Sequence, residues 1–186
     1  MRTDLWPYAA DLFRCTQELA IGQNDMKIVV GVDGSAHSYR ALEWALGEAR
    51  ARDVGVVLVH AFEFSGLAAS EPYASPDLLD TDRRNAQALL DRVLDRARYL
   101  APEVDVRGEL QYGPAAPALV EAARGAVMLV VGSRGRGGFV GALLGSVSSA
   151  CVHHATCPIV VVPPPERPGQ AEQHGEEHAG GDQTGG

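Results

Sequence analysis

Residues 130–150 read VVGSRGRGGFVGALLGSVSSA. Six glycines fall between Gly132 and Gly145, behind an apolar run and ahead of a stretch with helical character. A glycine inside a regular element costs about 0.5–1 kcal/mol relative to alanine, so six in fourteen positions need a reason. A buried strand, a glycine loop and a capped helix in that order are half of a βαβ unit. The rest of the chain repeats the pattern.

Working outward, KIVVGVD (27–33) is a nearly continuous apolar run, as expected of a strand buried on both faces. Ser35 is placed to cap a helix over 36–51, with Tyr39, Leu42, Ala45, Leu46 and Ala49 along one face. VGVVLVHAF (54–62) predicts a second buried strand. After a polar, proline-containing loop, Ser75 and Pro76 offer an N-cap and a first helical residue for a helix running to Leu100. VDVRGELQY (104–112) alternates apolar with polar, which predicts a more exposed strand at a sheet edge. A short helix over 115–124, a strand over 126–132, the glycine loop, a helix over 145–155 and a strand over 158–163 complete the series. Such alternation predicts an α/β fold with a parallel sheet and helices on both faces.

The ends differ from the core. The net charge of the 186 residues is −8. Residues 163–186 hold five acids against one arginine, and residues 1–25 hold four against two, leaving the core near neutral. Met26 begins MKIVVGVDGS, so residues 1–25 read as an N-terminal extension to a domain over 26–163. Residues 164–186 are rich in Pro, Gly, Glu, Gln and His, and their composition predicts a disordered acidic tail. No basic stripe suggests a nucleic-acid partner. No apolar run approaches the roughly 18 residues of a membrane span. The first 25 residues contain no signal-peptide pattern, and Cys15, Cys151 and Cys157 follow no disulfide spacing, so a cytoplasmic protein with free thiols is expected.

The glycine loop fails two familiar phosphate-binding patterns. Gly132 and Gly137 have the spacing of a P-loop, but Gly138 and Phe139 stand where Lys and Ser or Thr are required. Gly135-x-Gly137 begins a dinucleotide fingerprint that Val140 interrupts. What remains is Gly132-x-x-Gly135, nine residues, then Gly145-Ser146. Gly132 would allow a sharp turn out of its strand. Gly135, Gly137 and Gly138 would let backbone N–H groups approach a ligand. Gly145 and Ser146 would open a helix whose free N–H groups suit phosphate. Ser146 and Ser148 add hydroxyl donors, and Arg134 and Arg136 supply positive charge in a chain with one lysine, Lys27. The bland alternative is a surface loop with no ligand.

Taken together, these residues resemble the universal stress protein family. Its ATP-binding members carry G-2x-G-9x-G-[S/T], which Gly132, Gly135, Gly145 and Ser146 match without a gap. VGVDGS (30–35), LVHAF (58–62) and HATCPIVVV (154–162) match as well. The resemblance implies a five-stranded parallel sheet in the order 3-2-1-4-5 and a homodimer joined through the last strand. It implies ATP as ligand, with Mg²⁺ or Mn²⁺ bridging phosphate oxygens. Asp33 would contact ribose or adenine, with Gly31, Val32 and Ala61 framing the base. Val131, Gly132, Ser133, Arg134 and Gly135 would line the nucleotide, and Gly145, Ser146, Val147 and Ser148 would hold the phosphates.

Other residues carry weaker signals. Asp33 also suits a helix-capping role. His60, in a strand, reads as a hydrogen-bonded core histidine rather than a base, and the role of His37 stays open. CVHHATC (151–157) holds metal-ligand types, but helical spacing turns His153 and His154 apart. HGEEH (174–178) has Gly175 where a zinc motif needs Glu. No cluster of carboxylates forms a dedicated metal site, and no paired base and nucleophile accompanies the loop. A nucleotide-dependent regulator of stress adaptation is therefore expected, with slow hydrolysis or autophosphorylation at most. The alternatives are an ATP-dependent phosphoryl or adenylyl transferase and a nucleotide-free dimeric interaction module.

Overall fold

The computed structural model describes residues 26–63, 76–135 and 144–164. Expectations for residues 1–25, the loop after the second strand, the Ser75 cap, Arg136, Gly137, Gly138 and the acidic tail lie outside the described residues.

Nine elements follow one another among the described residues: β1 (Lys27–Gly31), α1 (Ala36–Arg52), β2 (Gly55–Phe62), α2 (Pro76–Leu100), β3 (Val106–Tyr112), α3 (Ala115–Ala122), β4 (Met128–Gly132), α4 (Ser146–His154) and β5 (Ile159–Val162). The strands form one parallel sheet in the order β3-β2-β1-β4-β5.

Period-two alternation divides the core into two layers. Ile28, Val30, Val56, Leu58, Met128 and Val130 point to one face, where the buried sides of α1 and α2 cover them. Val29, Val57, Val59, Leu129 and Val131 point to the other, beneath α3 and Cys151 of α4. Both faces are therefore apolar, which explains why β1, β2 and β4 read as unbroken hydrophobic runs. Burying a side chain such as Leu42, Leu58 or Leu129 stabilises the fold by about 1.5–3 kcal/mol. β3 lies at one edge, and its alternating pattern fits a strand paired only with β2.

Several element boundaries differ from those the sequence pattern suggests, for local reasons. The strand predicted over 27–33 pairs only as far as Gly31, because Val32 and Asp33 already turn toward α1. Val104 is held in a turn by Ala101 O, so β3 starts at Val106 rather than 104. Ala126 is likewise bonded back to Ala123 O, which delays β4 to Met128. α1 runs one residue longer, to Arg52, and closes on Asp53 in the left-handed conformation at φ +54°.

Candidate functional site

The chain order reverses direction at β1. α1 leads from β1 to β2 on one side, whereas β4 is inserted on the other side after α3. Ligands bind such sheets at the carboxyl ends of the strands flanking this reversal. A cavity of about 380 Å³ opens there, between the ends of β1 and β4.

The exit of β1 is pinned on several sides. Val32 N–H donates to Val59 O at 3.0 Å. Asp33 Oδ1 accepts the Ser35 N–H at 2.9 Å. Ser35 is the N-cap of α1: its hydroxyl oxygen accepts from Ser38 N, and its carbonyl accepts from the Ser38 hydroxyl. Gly31, Val32 and Asp33 form one wall of the cavity, with Ser38 beside them. Asp33 thus takes part in the turn before the helix and also faces the cavity.

The opposite wall comes from β4 and the chain after it. Val131, Gly132, Arg134 and Gly135 line it. The glycines are here for close approach, not for a left-handed backbone, since neither has a positive φ. A Cβ at Gly132 would stand 2.8 Å from the His37 Cβ and 2.9 Å from its carbonyl carbon. A Cβ at Gly135 would stand 2.8 Å from Asp33 Oδ2. The expected turn-forming role of Gly132 is accordingly replaced by contact with the first turn of α1. His37, whose role the sequence left open, packs its Cβ and backbone on that glycine, and its Nε2 is buried without a hydrogen-bond partner among the described residues.

α4 closes the cavity. Its N-cap, Gly145, contributes no side-chain hydrogen bond, and Ser149 N–H is the first to reach back, to Gly145 O. The N–H groups of Ser146, Val147 and Ser148 therefore have no acceptor within the helix. Gly145, Ser146, Val147 and Ser148 all line the cavity. The Ser148 hydroxyl departs from the expected donor role. Its proton is shared between Ser133 O and Gly145 O, each at 3.0 Å, so it ties the helix to the end of β4 instead.

Ser133 also departs from expectation. It is 5% exposed and does not line the cavity. Its N–H donates to Val162 O at 2.8 Å and its carbonyl accepts from Gly145 N at 2.7 Å, so its backbone joins β5 to the start of α4.

The remaining wall is mostly apolar. Ala61 lines it as expected, with Val59, Ala115, Leu119 and Leu144, which the sequence did not single out. His60 is 9% exposed and its Nδ1 lies 2.8 Å from Val32 O, as a hydrogen-bonded core histidine should be, and the residue is also among those that line the cavity. Asp33 is the only carboxylate and Arg134 the only arginine or lysine among the described lining residues. No three His, Cys, Asp or Glu side chains among the described residues gather into a possible metal site. Burial pushes the Cys151 thiol up to about 11 and raises that of Cys157, so neither is an activated nucleophile.

Comparison with known proteins agrees with this geometry. The model of the universal stress protein family matches residues 26–163. A universal stress protein of Mycobacterium tuberculosis is 34% identical over 165 residues, covering 78% of this chain and 50% of its own length. This chain spans about half the length of the curated relatives it matches. Among solved structures, a universal stress protein in complex with cAMP is 29% identical, with a TM-score of 0.57 over 74% of this chain and 96% of that one. The universal stress protein of Archaeoglobus fulgidus in complex with dAMP is 25% identical, with a TM-score of 0.57 over 74% and 97% of the two chains.

Proposed function

This chain belongs to the universal stress protein family, and from that premise we propose that its cavity binds an adenine nucleotide, with ATP as the ligand. The supporting observation is the open N-terminus of α4. Three helix N–H groups without intrahelical acceptors border a cavity at the topological switch point, and no side chain among the described residues caps them. Such an end carries partial positive charge and suits phosphate oxygens. In this reading the phosphates lie on Gly145, Ser146 and Val147, with Arg134 beside them. The sugar faces Asp33, and the base lies on the apolar wall of Ala61, Ala115 and Leu119.

The domain responsible is residues 26–163, with 1–25 an extension and 164–186 an acidic tail. Two copies pair through β5, the edge of the sheet opposite β3, and the protein works in the cytoplasm as a nucleotide-dependent regulator of stress adaptation. A divalent cation, where present, is held chiefly by the phosphates, because Asp33 alone among the described lining residues offers a carboxylate. The regulatory reading is favoured over rapid turnover because Asp33 is engaged in a turn and neither described cysteine is activated.

The test is calorimetric titration of protein stripped of co-purified ligand. ATP should bind saturably at one site per chain, and GTP should bind more weakly. Failure of every adenine nucleotide to bind would end this reading.

A further inference from the structure

The hydrogen bond between His60 and Val32 links the buried core to the mouth of the cavity. A carbonyl oxygen only accepts, so the 2.8 Å contact requires that His60 Nδ1 carry the proton. The β1–β2 ladder ends at Gly31 opposite Val59. Val32 lies one residue beyond, and β2 nevertheless holds it at both ends: its N–H goes to Val59 O and its carbonyl is taken by the His60 side chain. The next residue is Asp33, whose Oδ1 is fixed by Ser35 N–H and whose Oδ2 lies 2.8 Å from where a Cβ on Gly135 of the facing wall would stand.

We infer that His60 is a positioning residue for the nucleotide site, acting through the Val32 carbonyl to hold Asp33 at its place opposite Gly135. The inference rests on the nucleotide reading above and adds to it a residue that sets the width of the cavity mouth. The imidazole suits this task because it is a rigid donor nine-tenths buried beneath the chain it supports. If the donor is lost, a buried carbonyl is left without its partner, and the exit of β1 relaxes to find another. Asp33 then moves relative to Gly135, and a ligand that touches both walls loses fit although neither wall has been mutated.

The obvious objection is that any core residue of similar size would serve. Three substitutions separate the alternatives. His60→Asn keeps an N–H donor on the same branch as Nδ1. His60→Gln keeps the donor but moves it one methylene outward. His60→Leu fills the volume and donates nothing. Binding of ATP to the stripped full-length chain is measured by calorimetry, beside urea unfolding of each variant. The expected result is affinity within about threefold of the parent for His60→Asn, and a loss on the order of tenfold for His60→Gln and His60→Leu, the scale of one buried hydrogen bond. If His60→Leu does not fold, the comparison of Asn with Gln carries the test.

Unchanged affinity in His60→Leu or His60→Gln, with the parent binding normally, overturns this inference alone. So does an equal loss in Asn and Gln. No saturable uptake by the parent chain overturns the nucleotide reading and this inference with it.

Discussion

Asp33 Oδ2 and Gly135 stand so close across the cavity mouth that a Cβ on the glycine would fall 2.8 Å from the carboxylate oxygen. Asp33 follows β1 and Gly135 follows β4, so the contact joins the two strands at the point where the sheet reverses its order. The glycine is therefore required by its neighbour and not by its own backbone angles, which are unexceptional. The same criterion, applied to each glycine of the frame, gives different answers for different positions.

Gly132 and Gly145 should respond unequally to alanine. At Gly132 the new methyl would meet the His37 backbone carbonyl, which is part of the first turn of α1 and cannot swing away. Overpacking of this kind costs about 1–3 kcal/mol. At Gly145 the nearest atoms are 3.5 Å distant, an ordinary contact. Urea unfolding should show Gly132→Ala clearly destabilised and Gly145→Ala within about 1 kcal/mol of the parent, the cost of a changed N-cap. Equal midpoints for the two variants would refute the crowding argument.

Ser148→Ala should weaken the fold and the site together. Ser148 is 97% buried, and its hydroxyl bonds Ser133 O and Gly145 O, fastening α4 to the end of β4. Its removal takes one of two donors from each carbonyl, since Gly145 N–H still reaches Ser133 O and Ser149 N–H still reaches Gly145 O, a cost of about 0.5–1.5 kcal/mol. Differential scanning calorimetry should register a lower Tm, and ATP affinity should fall although the helix N–H groups remain. A variant that binds normally but melts early would show that α4 keeps its position without this tie.

Stability should decline in alkali through the buried thiols. The Cys151 pKa is raised from 9.0 to about 11 by burial, and that of Cys157 is raised as well. Below pH 9 the thiols are neutral in folded and unfolded chains alike, so the folded state has its full advantage. Between pH 9 and 11 the unfolded chain releases protons that the folded chain retains, and stability falls as pH rises. Unfolding free energies from pH 8 to 10.5 should therefore drop less steeply in Cys151→Ala than in the parent. Identical slopes would remove Cys151 from this account.

Much of this architecture is written in local patterns. Unbroken apolar runs marked β1, β2 and β4 because both of their faces are covered, and the alternation in β3 marked the edge. The spacing of Gly132, Gly135, Gly145 and Ser146 placed the loop between a strand end and a helix start. Contacts between distant segments were less legible. That Gly132 lies against His37 depends on how α1 crosses β4, over ninety residues of sequence separation. The inward hydroxyl of Ser148 depends on the path of Ser133, which is buried and is not among the residues that line the cavity. Ala115 and Leu119 joined the site because α3 covers the face of the sheet that α1 leaves open, a placement no local periodicity encodes.

The most direct test of the nucleotide site is a paired titration of ATP into stripped parent protein and into Gly135→Asp. The substitution sets a second carboxylate beside Asp33 and beside the place assigned to the phosphates, where like charges repel. Saturable binding at one site per chain in the parent, lost in a Gly135→Asp variant that still unfolds cooperatively, is the predicted result. Absence of binding in the parent, or equal affinity in the two proteins, would contradict it.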